Sequence, residues 1–283
     1  MTRRPDDPAA TPDSSPRGLV SFTTDRGVAV IELNDPPANT YSYEMMRALD
    51  AAVLQARMDE SVHVLVLRGA GDKFFCAGAD IRMLASVTPA YKYYFCLHAN
   101  ETLNRLEQTP KLVIAAINGH CVGGGLEVAL AADIRLARKG GGRTGLPEPK
   151  IGLPEVTLGV LPGTGGTQRL ARLVGRARAL EMMATGRTFT PEEAAAAGMV
   201  TQVLDADGWW DRVLEYARQF TPPGKASKAV GAIKRAVVSG SEMPFAEGLA
   251  LERELQQQLF QSADAAEGIA AYVEKRTPKF RGI

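Results

Sequence analysis

Three short stretches of the chain carry residues able to do chemistry, and each sets an acid or a free amide beside glycine. The first is Ile117-Asn118-Gly119-His120-Cys121-Val122-Gly123-Gly124-Gly125-Leu126-Glu127, between a strand-like run, Lys111 to Ile117, and a helix-like run, Leu126 to Ala132. Glycines clustered at such a junction give the backbone unusual dihedrals and let a ligand come close. A helix start leaves N–H groups unpaired and carries positive dipole potential, so negative charge is favoured there. Glu127 follows Gly124 by about one helical turn, near enough to act on a group held by those amides. The second stretch, Lys73-Phe74-Phe75-Cys76-Ala77-Gly78-Ala79-Asp80-Ile81, offers another glycine-hinged amide at Ala79. The third, beginning Ile151-Gly152-Leu153-Pro154-Glu155, adds a second carboxylate. Two amides and two acids suit a reaction in which an oxygen gains negative charge while protons move nearby.

Blander readings compete. The first stretch could be a packing turn with Glu127 exposed at a helix start. It lacks the G-x-G-x-x-G spacing of a dinucleotide fingerprint and the G-K-[ST] of a P-loop. Pro162-Gly163-Thr164-Gly165-Gly166-Thr167 also lacks the P-loop lysine, and reads as the turn and cap of a helix beginning near Gln168. Cys76 and Cys121 fall inside glycine stretches, but with no base placed to activate them they read as buried fillers. His63, His98 and His120 are scattered without metal-ligand spacing. The first two read as structural, and His120 as a pocket wall at most.

Taken together and in order, A-G-A-D-I, N-G-x-x-x-G-G-G-x-E and P-E-x-x-L-G-x-x-P-G-x-G-G-T-Q-R-L resemble the crotonase (enoyl-CoA hydratase) superfamily. The resemblance runs from about Gly18 to the C-terminus. It implies an α/β fold, a spiral of stacked β-β-α units with a C-terminal helical oligomerisation region. By resemblance the oxyanion-hole donors are the Ala79 and Gly124 amides, with Glu127 and Glu155 as the catalytic acids. Ala77, Gly78, Asp80 and Ile81 would line the substrate, and Arg82 and Lys275 are candidates for the CoA phosphates, Lys275 in a neighbouring subunit's site. The implied partners are an acyl-CoA thioester and further copies of the chain, as a homotrimer or a hexamer built from two trimers. No separate cofactor is expected, since CoA is part of the substrate.

The elements that must position these groups are legible in pattern. The chain has 283 residues, 45% of them hydrophobic, enough for a sizeable core. A net charge of +1 gives no bulk electrostatic case for nucleic acid or an anionic membrane. Three cysteines without paired spacing fit a reducing, cytoplasmic compartment. No apolar run reaches the roughly 18 residues of a membrane span. Residues 1–17, rich in Pro, Asp, Ser and Thr, read as a disordered tail rather than a signal. The catalytic core then occupies 18–205. Leu19 to Phe22 and Val28 to Leu33 read as strands about the turn Asp25-Arg26-Gly27, and Tyr43 to Met58 as a helix. Val62 to Leu67, Leu112 to Ile117 and Asp133 to Ala137 read as buried parallel strands. Thr88 to Leu106 is a helix whose aromatics are mostly explained by core packing, while the resemblance implies that some of them meet the substrate tail. Thr190-Pro191-Glu192-Glu193 signals a helix start. Residues 206–283 read as helical: Trp210 to Phe220, Ala226 to Val238, and Phe245 to about Lys275 with a break near Asp264. Leu249, Leu255, Leu259, Ile269 and Val273 there need a partner surface.

One irregularity bears on the site. Gly145-Leu146-Pro147-Glu148-Pro149-Lys150-Ile151 is followed at once by Gly152-Leu153-Pro154-Glu155-Val156-Thr157-Leu158, a tandem near-duplication. Spacing from Glu127 favours Glu148 as the second acid, but register favours Glu155, because Val156 to Leu170 continues the family pattern without a gap. The first copy then reads as a looped-out surface insertion, with Glu148 projecting outward. Acids at both positions favour a hydratase over a Δ3-Δ2 enoyl-CoA isomerase, which can work with one. A non-catalytic acyl-CoA- or RNA-binding relative is the rival of a different class. A glycosidase-style acid pair would not call for this amide-rich framework.

Overall fold

The computed structural model describes residues 18–140 and 145–283, so the expected tail at 1–17 and residues 141–144 lie outside the description. The strands are β1 (Val20–Asp25), β2 (Val28–Leu33), β3 (Val64–Gly69), β4 (Phe74–Cys76), β5 (Leu112–Ile117), β6 (His120–Val122), β7 (Ile134–Arg138), β8 (Ile151–Gly152) and β9 (Gln202–Leu204). They form a six-stranded sheet, β1-β2-β3-β5-β7-β9, and a three-stranded sheet, β4-β6-β8. Among the described strands β1 and β2 pair antiparallel and every other strand pair is parallel. The β1–β2 turn, Arg26-Gly27, takes positive φ at both residues, which matches the right-handed strand twist.

The helices are α1 (Tyr43–Met58), α2 (Ile81–Ser86), α3 (Pro89–Glu107), α4 (Gly124–Leu130), α5 (Gly166–Val174), α6 (Arg176–Thr185), α7 (Pro191–Ala196), α8 (Trp209–Arg218), α9 (Ser227–Gly240), α10 (Phe245–Phe260) and α11 (Ala263–Val273). Side-chain oxygens of Ser42, Thr88, Thr190 and Ser262 cap α1, α3, α7 and α11. Thr190 and Glu193 complete a capping box, as the sequence signal predicts. Among the described residues no helix is long and apolar enough to cross a membrane.

The continuous apolar runs of β3 and β5 follow from burial on both faces. Leu65, Leu67, Val113 and Ala115 pack with Met45, Leu49 and Val53 of α1 and with Phe95 and Leu103 of α3. Val64, Val66, Ile114 and Ala116 face the other way, onto Trp209, Val213 and Ala217 of α8. Each such large side chain contributes about 1.5–3 kcal/mol. Helix α8, within the expected oligomerisation region, therefore also closes the sheet.

A repeated path builds the site. A strand of the large sheet crosses into a short strand of the small one and then enters a helical turn: β3–β4–α2, β5–β6–α4, and β7–β8 followed by a 3₁₀ turn, Glu155–Leu158. This is the β-β-α spiral. Arg138, 1% exposed, gathers the crossings. Its guanidinium donates to the carbonyls of Asp72, Asn118, Lys139 and Pro147 at 2.7–3.3 Å. The sequence reading needs adjustment here. The first glycine stretch is not a direct strand-to-helix turn, because β6 intervenes, and α4 begins at Gly124 rather than Leu126. Helix α5 starts at Gly166, two residues before the predicted Gln168, with Gly165 in a left-handed conformation at its cap.

Candidate functional site

The small sheet delivers three chain segments to one place. Tyr41 forms an isolated parallel bridge with Ala79, its N–H donating to the Gly78 carbonyl (2.9 Å) and its carbonyl accepting from Asp80 N–H (3.2 Å). The flanking groups are thus spent on Tyr41, and the Ala79 N–H points the other way along the alternating backbone. Gly78 has φ +92°, and a Cβ there would stand 2.9 Å from the Gly124 nitrogen, so the Gly78–Ala79 backbone lies directly against the start of α4. Gly124 is crowded from the other side, where a Cβ would collide with the Tyr41 hydroxyl. Among the described residues, neither the Ala79 nor the Gly124 N–H donates to a protein acceptor. Two neighbouring amides are left open to an anionic oxygen.

Glu127 lies in the first turn of α4, 2% exposed. Its Oε1 accepts from the backbone N–H groups of Thr164 and Gly166, each at 2.7 Å, and its Oε2 from the Thr164 hydroxyl. The Tyr41 hydroxyl lies 3.2 Å from the same Thr164 Oγ1. Burial, and then the charge of Glu127, raise the Tyr41 phenol well above its ordinary range. Tyr41 and Thr164 thus tie one open amide to the first acid.

Glu155 opens the 3₁₀ turn and is half-buried. A Cβ placed on Gly123 would stand 3.3 Å from its Oε1, so this acid sits beside the residue preceding the open Gly124 amide. Its Oε2 is buried without a hydrogen-bond partner. Burial, reinforced by the neighbouring Glu127 carboxylate, pushes its pKa up to about 7, against a lowering by its own backbone N–H and by Lys92. The two acids are neighbours with opposite surroundings, one held by three donors and one half-desolvated and poised near neutrality.

The other sequence-singled residues separate. Ala77 donates its N–H to the Ala38 carbonyl at 3.0 Å. Asp80 caps α2, accepting from the Arg82 N–H at 2.9 Å, and the Arg82 guanidinium turns back to it at 3.4 Å with its side chain 89% exposed. Ile81 is exposed at the start of α2, and Lys275 is exposed past α11 in a left-handed conformation. Glu148 is exposed, its backbone against Gly140. The insertion read as 145–151 ends sooner, because Ile151 is fully buried in β8 and pairs with both Cys121 and Phe189. Burial pushes the Cys76 thiol up to about 12 and the Cys121 thiol well above its usual range, which leaves neither a nucleophile. His120 Nδ1 accepts from the Lys150 N–H at 3.0 Å.

The sequence reading missed Tyr41, Thr164 and Lys92. Thr164 had a signal: a glycine loop with freed N–H groups, close in the chain to one acid, needs an acceptor, and Glu127 was unassigned a partner. Tyr41 and Lys92 stand alone in pattern, and only the fold brings them in.

A spiral of β-β-α units that sets two open amides against paired carboxylates defines a crotonase-fold protein. The model of the enoyl-CoA hydratase/isomerase family matches residues 23–282. A Bacillus subtilis protein named a probable enoyl-CoA hydratase is 35% identical over 93% of this chain and 98% of its own length. The mitochondrial methylglutaconyl-CoA hydratase of Rattus norvegicus is 34% identical over 91% of this chain and 80% of its own. Among solved structures, an enoyl-CoA hydratase of Geobacillus kaustophilus superposes with a TM-score of 0.88 at 44% identity, covering 94% of this chain and 97% of that one. The chain belongs to the enoyl-CoA hydratase/isomerase family, whose enzymes act on acyl-CoA substrates.

Proposed function

We propose that this protein is an enoyl-CoA hydratase, adding water reversibly across the 2,3-double bond of a 2-enoyl-CoA. The observation that carries the reading is the pair of carboxylates with opposite surroundings beside two open amides. The thioester oxygen accepts from the Ala79 and Gly124 N–H groups, which stabilise the enolate as it forms. Losing one such donor typically costs about 3–4 kcal/mol of barrier. Glu127, oriented by Thr164 and Gly166, takes a proton from water as the water oxygen bonds Cβ. Glu155, raised enough to hold a proton in a large share of molecules near neutrality and in most below it, gives that proton to Cα. The acids end with exchanged protonation and are reset by proton transfer. An isomerase moves a proton between Cα and Cγ and needs no water-activating partner, so a second acid held in readiness favours hydration.

Arg82 and Lys275, both exposed and outside the acid pair, remain the candidates for the CoA phosphates, and no separate cofactor is needed. A trimeric or hexameric assembly is supported by apolar side chains left uncovered: Leu158, Leu161, Ile269 and Val273 are all more than half exposed, although Leu255 is buried within the chain. Three unpaired cysteines support a cytoplasmic setting.

The test is an assay of purified protein with short, long and branched 2-enoyl-CoA thioesters, following loss of the conjugated double bond. Hydration of at least one is expected. Conversion of 3-enoyl-CoA to 2-enoyl-CoA with no hydration of any thioester would replace the reading with isomerase. Solution mass at micromolar concentration checks the assembly, and a lone 30.3 kDa species would refute it.

A further inference from the structure

Thr164 and Gly166, whose backbone N–H groups hold Glu127, are separated by Gly165, which takes a left-handed conformation at φ +109°. The bend there lets both N–H groups reach the same carboxylate oxygen. Glycine enters and leaves that region freely, so the residue type alone does not fix the bend. Gly163, Gly165 and Thr167 line a cavity of about 1050 Å³, so core packing does not back the loop on that side. What closes on the bend is Arg169. Its backbone N–H donates to the Gly165 carbonyl at 2.9 Å and its guanidinium to the Thr164 carbonyl at 3.4 Å. Arg169 therefore holds both peptide planes that meet at Gly165. The guanidinium is packed so closely on Gly165 that a Cβ there would collide with it.

The same guanidinium is anchored on α3, where Asn104 Oδ1 accepts from it at 2.7 Å and the Glu107 carboxylate at 3.0–3.3 Å. Asn104 and Glu107 stand at i and i+3, on one face of the helix. The Arg169 side chain is 12% exposed. An ion pair so far out of water adds little to stability, and apolar residues of similar volume often serve a fold as well. A rigid fork of five donors does something else, which is to set directions. We propose that Arg169 is a positioning residue for Glu127. Braced on α3, it holds the bend at Gly165, and the bend holds the two N–H groups that aim the carboxylate. Among the described residues Arg169 makes no hydrogen bond to Glu127 itself, so its effect passes entirely through the loop.

The first test does not depend on the reaction. Amide hydrogen exchange of the intact protein, read on peptides spanning residues 162–168, follows the Thr164 and Gly166 N–H groups, while peptides of β3 and β5 report global opening. Arg169→Met, of similar reach but without the fork, should speed exchange in the loop by about tenfold and leave β3 and β5 within about twofold. Equal acceleration in loop and strands would make Arg169 a stability residue only and overturn the proposal, as would an unaltered loop. The second test rests on the hydratase reading. With turnover counted per site that binds butyryl-CoA, Arg169→Met should lower kcat for the preferred 2-enoyl-CoA by about tenfold and change KM by less than about twofold. A raised KM with kcat intact would overturn the assignment. Arg169→Lys keeps the charge without the fork and should not restore kcat, so full recovery would also count against it. Glu107→Gln, which weakens the anchor and keeps its shape, should move both readouts the same way by about threefold. That variant decides the question if Arg169→Met does not fold, since no movement in it overturns the proposal. If no thioester is hydrated while loop exchange still depends on Arg169, the hydratase reading falls and the role of Arg169 stands.

Discussion

The tetrapeptide Gly-Leu-Pro-Glu occurs twice in succession, at 145–148 and 152–155, and the fold treats the two copies differently. In the second, Gly152 belongs to β8, Leu153 is buried, and Glu155 turns toward Glu127. In the first, Glu148 is exposed. The difference lies downstream. After Glu155 come Val156 and Thr157, and Thr157 closes the turn by donating both its N–H (2.9 Å) and its hydroxyl (2.7 Å) to the Pro154 carbonyl. After Glu148 comes Pro149, which has no N–H and disfavours helical dihedrals in the residue before it. Identical residues become an acid of the site or a surface group according to whether a turn can form behind them.

The sharpest way to break this comparison is to neutralise each acid. Glu155→Gln should lower hydration of the preferred thioester by about 10²- to 10⁴-fold, the usual weight of a general acid. Retention of wild-type turnover would remove Glu155 from the mechanism. With the Glu155 pKa raised to about 7, kcat/KM for hydration should fall as pH rises through 7, and Glu155→Gln should abolish that limb. The same shift bears on stability. A carboxyl whose folded pKa exceeds its ordinary 4.5 costs the native state increasingly as pH rises from 4.5 to about 7, and the cost persists above. Glu155→Gln should therefore melt higher than the parent at pH 8, with the gap closing toward pH 5. A gap that widens on acidification would contradict the assignment.

A smaller effect tests how the partner acid is held. Thr164→Val removes the hydroxyl from Glu127 Oε2 and from Tyr41 but leaves both backbone donors. Turnover should fall by about tenfold, the cost of one lost hydrogen bond. An unchanged rate would mean that the backbone donors alone orient Glu127.

Smaller still is the effect of excising the first copy. Deleting Gly145–Ile151 brings Thr144 to the position Ile151 occupies in β8, a fully buried site. A polar, smaller side chain there should cost about 2 kcal/mol, read as a lowered melting temperature with the acid pair intact. Adding Thr144→Ile to the deletion should restore most of it. If it does not, the first copy supports the sheet in some further way. At the bottom of the scale, Glu148→Gln should leave both turnover and melting unchanged, and a loss comparable to that of Glu155→Gln would exchange the roles of the two copies.

The large sheet and most helices were legible because each leaves a long pattern. Val62 to Leu67 and Leu112 to Ile117 are continuous apolar runs, and Thr190 to Glu193 is a complete capping signal. The small sheet was not, since strands of two or three residues are too short to show alternation. The acids and open amides could be named from motif, whereas the pairing of what holds them could not, even though the freed N–H groups of the Thr164 loop signalled that an acceptor was needed. Tyr41 reaches Thr164 across 123 positions, and Thr164 reaches Glu127 across 37, separations that no local period encodes.

The buried guanidinium of Arg138 has a consequence for how the chain reaches its native state. Its donors are answered by the turn before β4, the turn before β6, the end of β7 and the loop that follows. A half-wound spiral would enclose a positive charge with some of those carbonyls missing, a costly arrangement. Each winding therefore lowers the free energy of the others through a single side chain. Arg138 acts as a toll on partial assembly, so that the three crossings that present Ala79, Gly124 and Glu155 are favoured to form together rather than one by one.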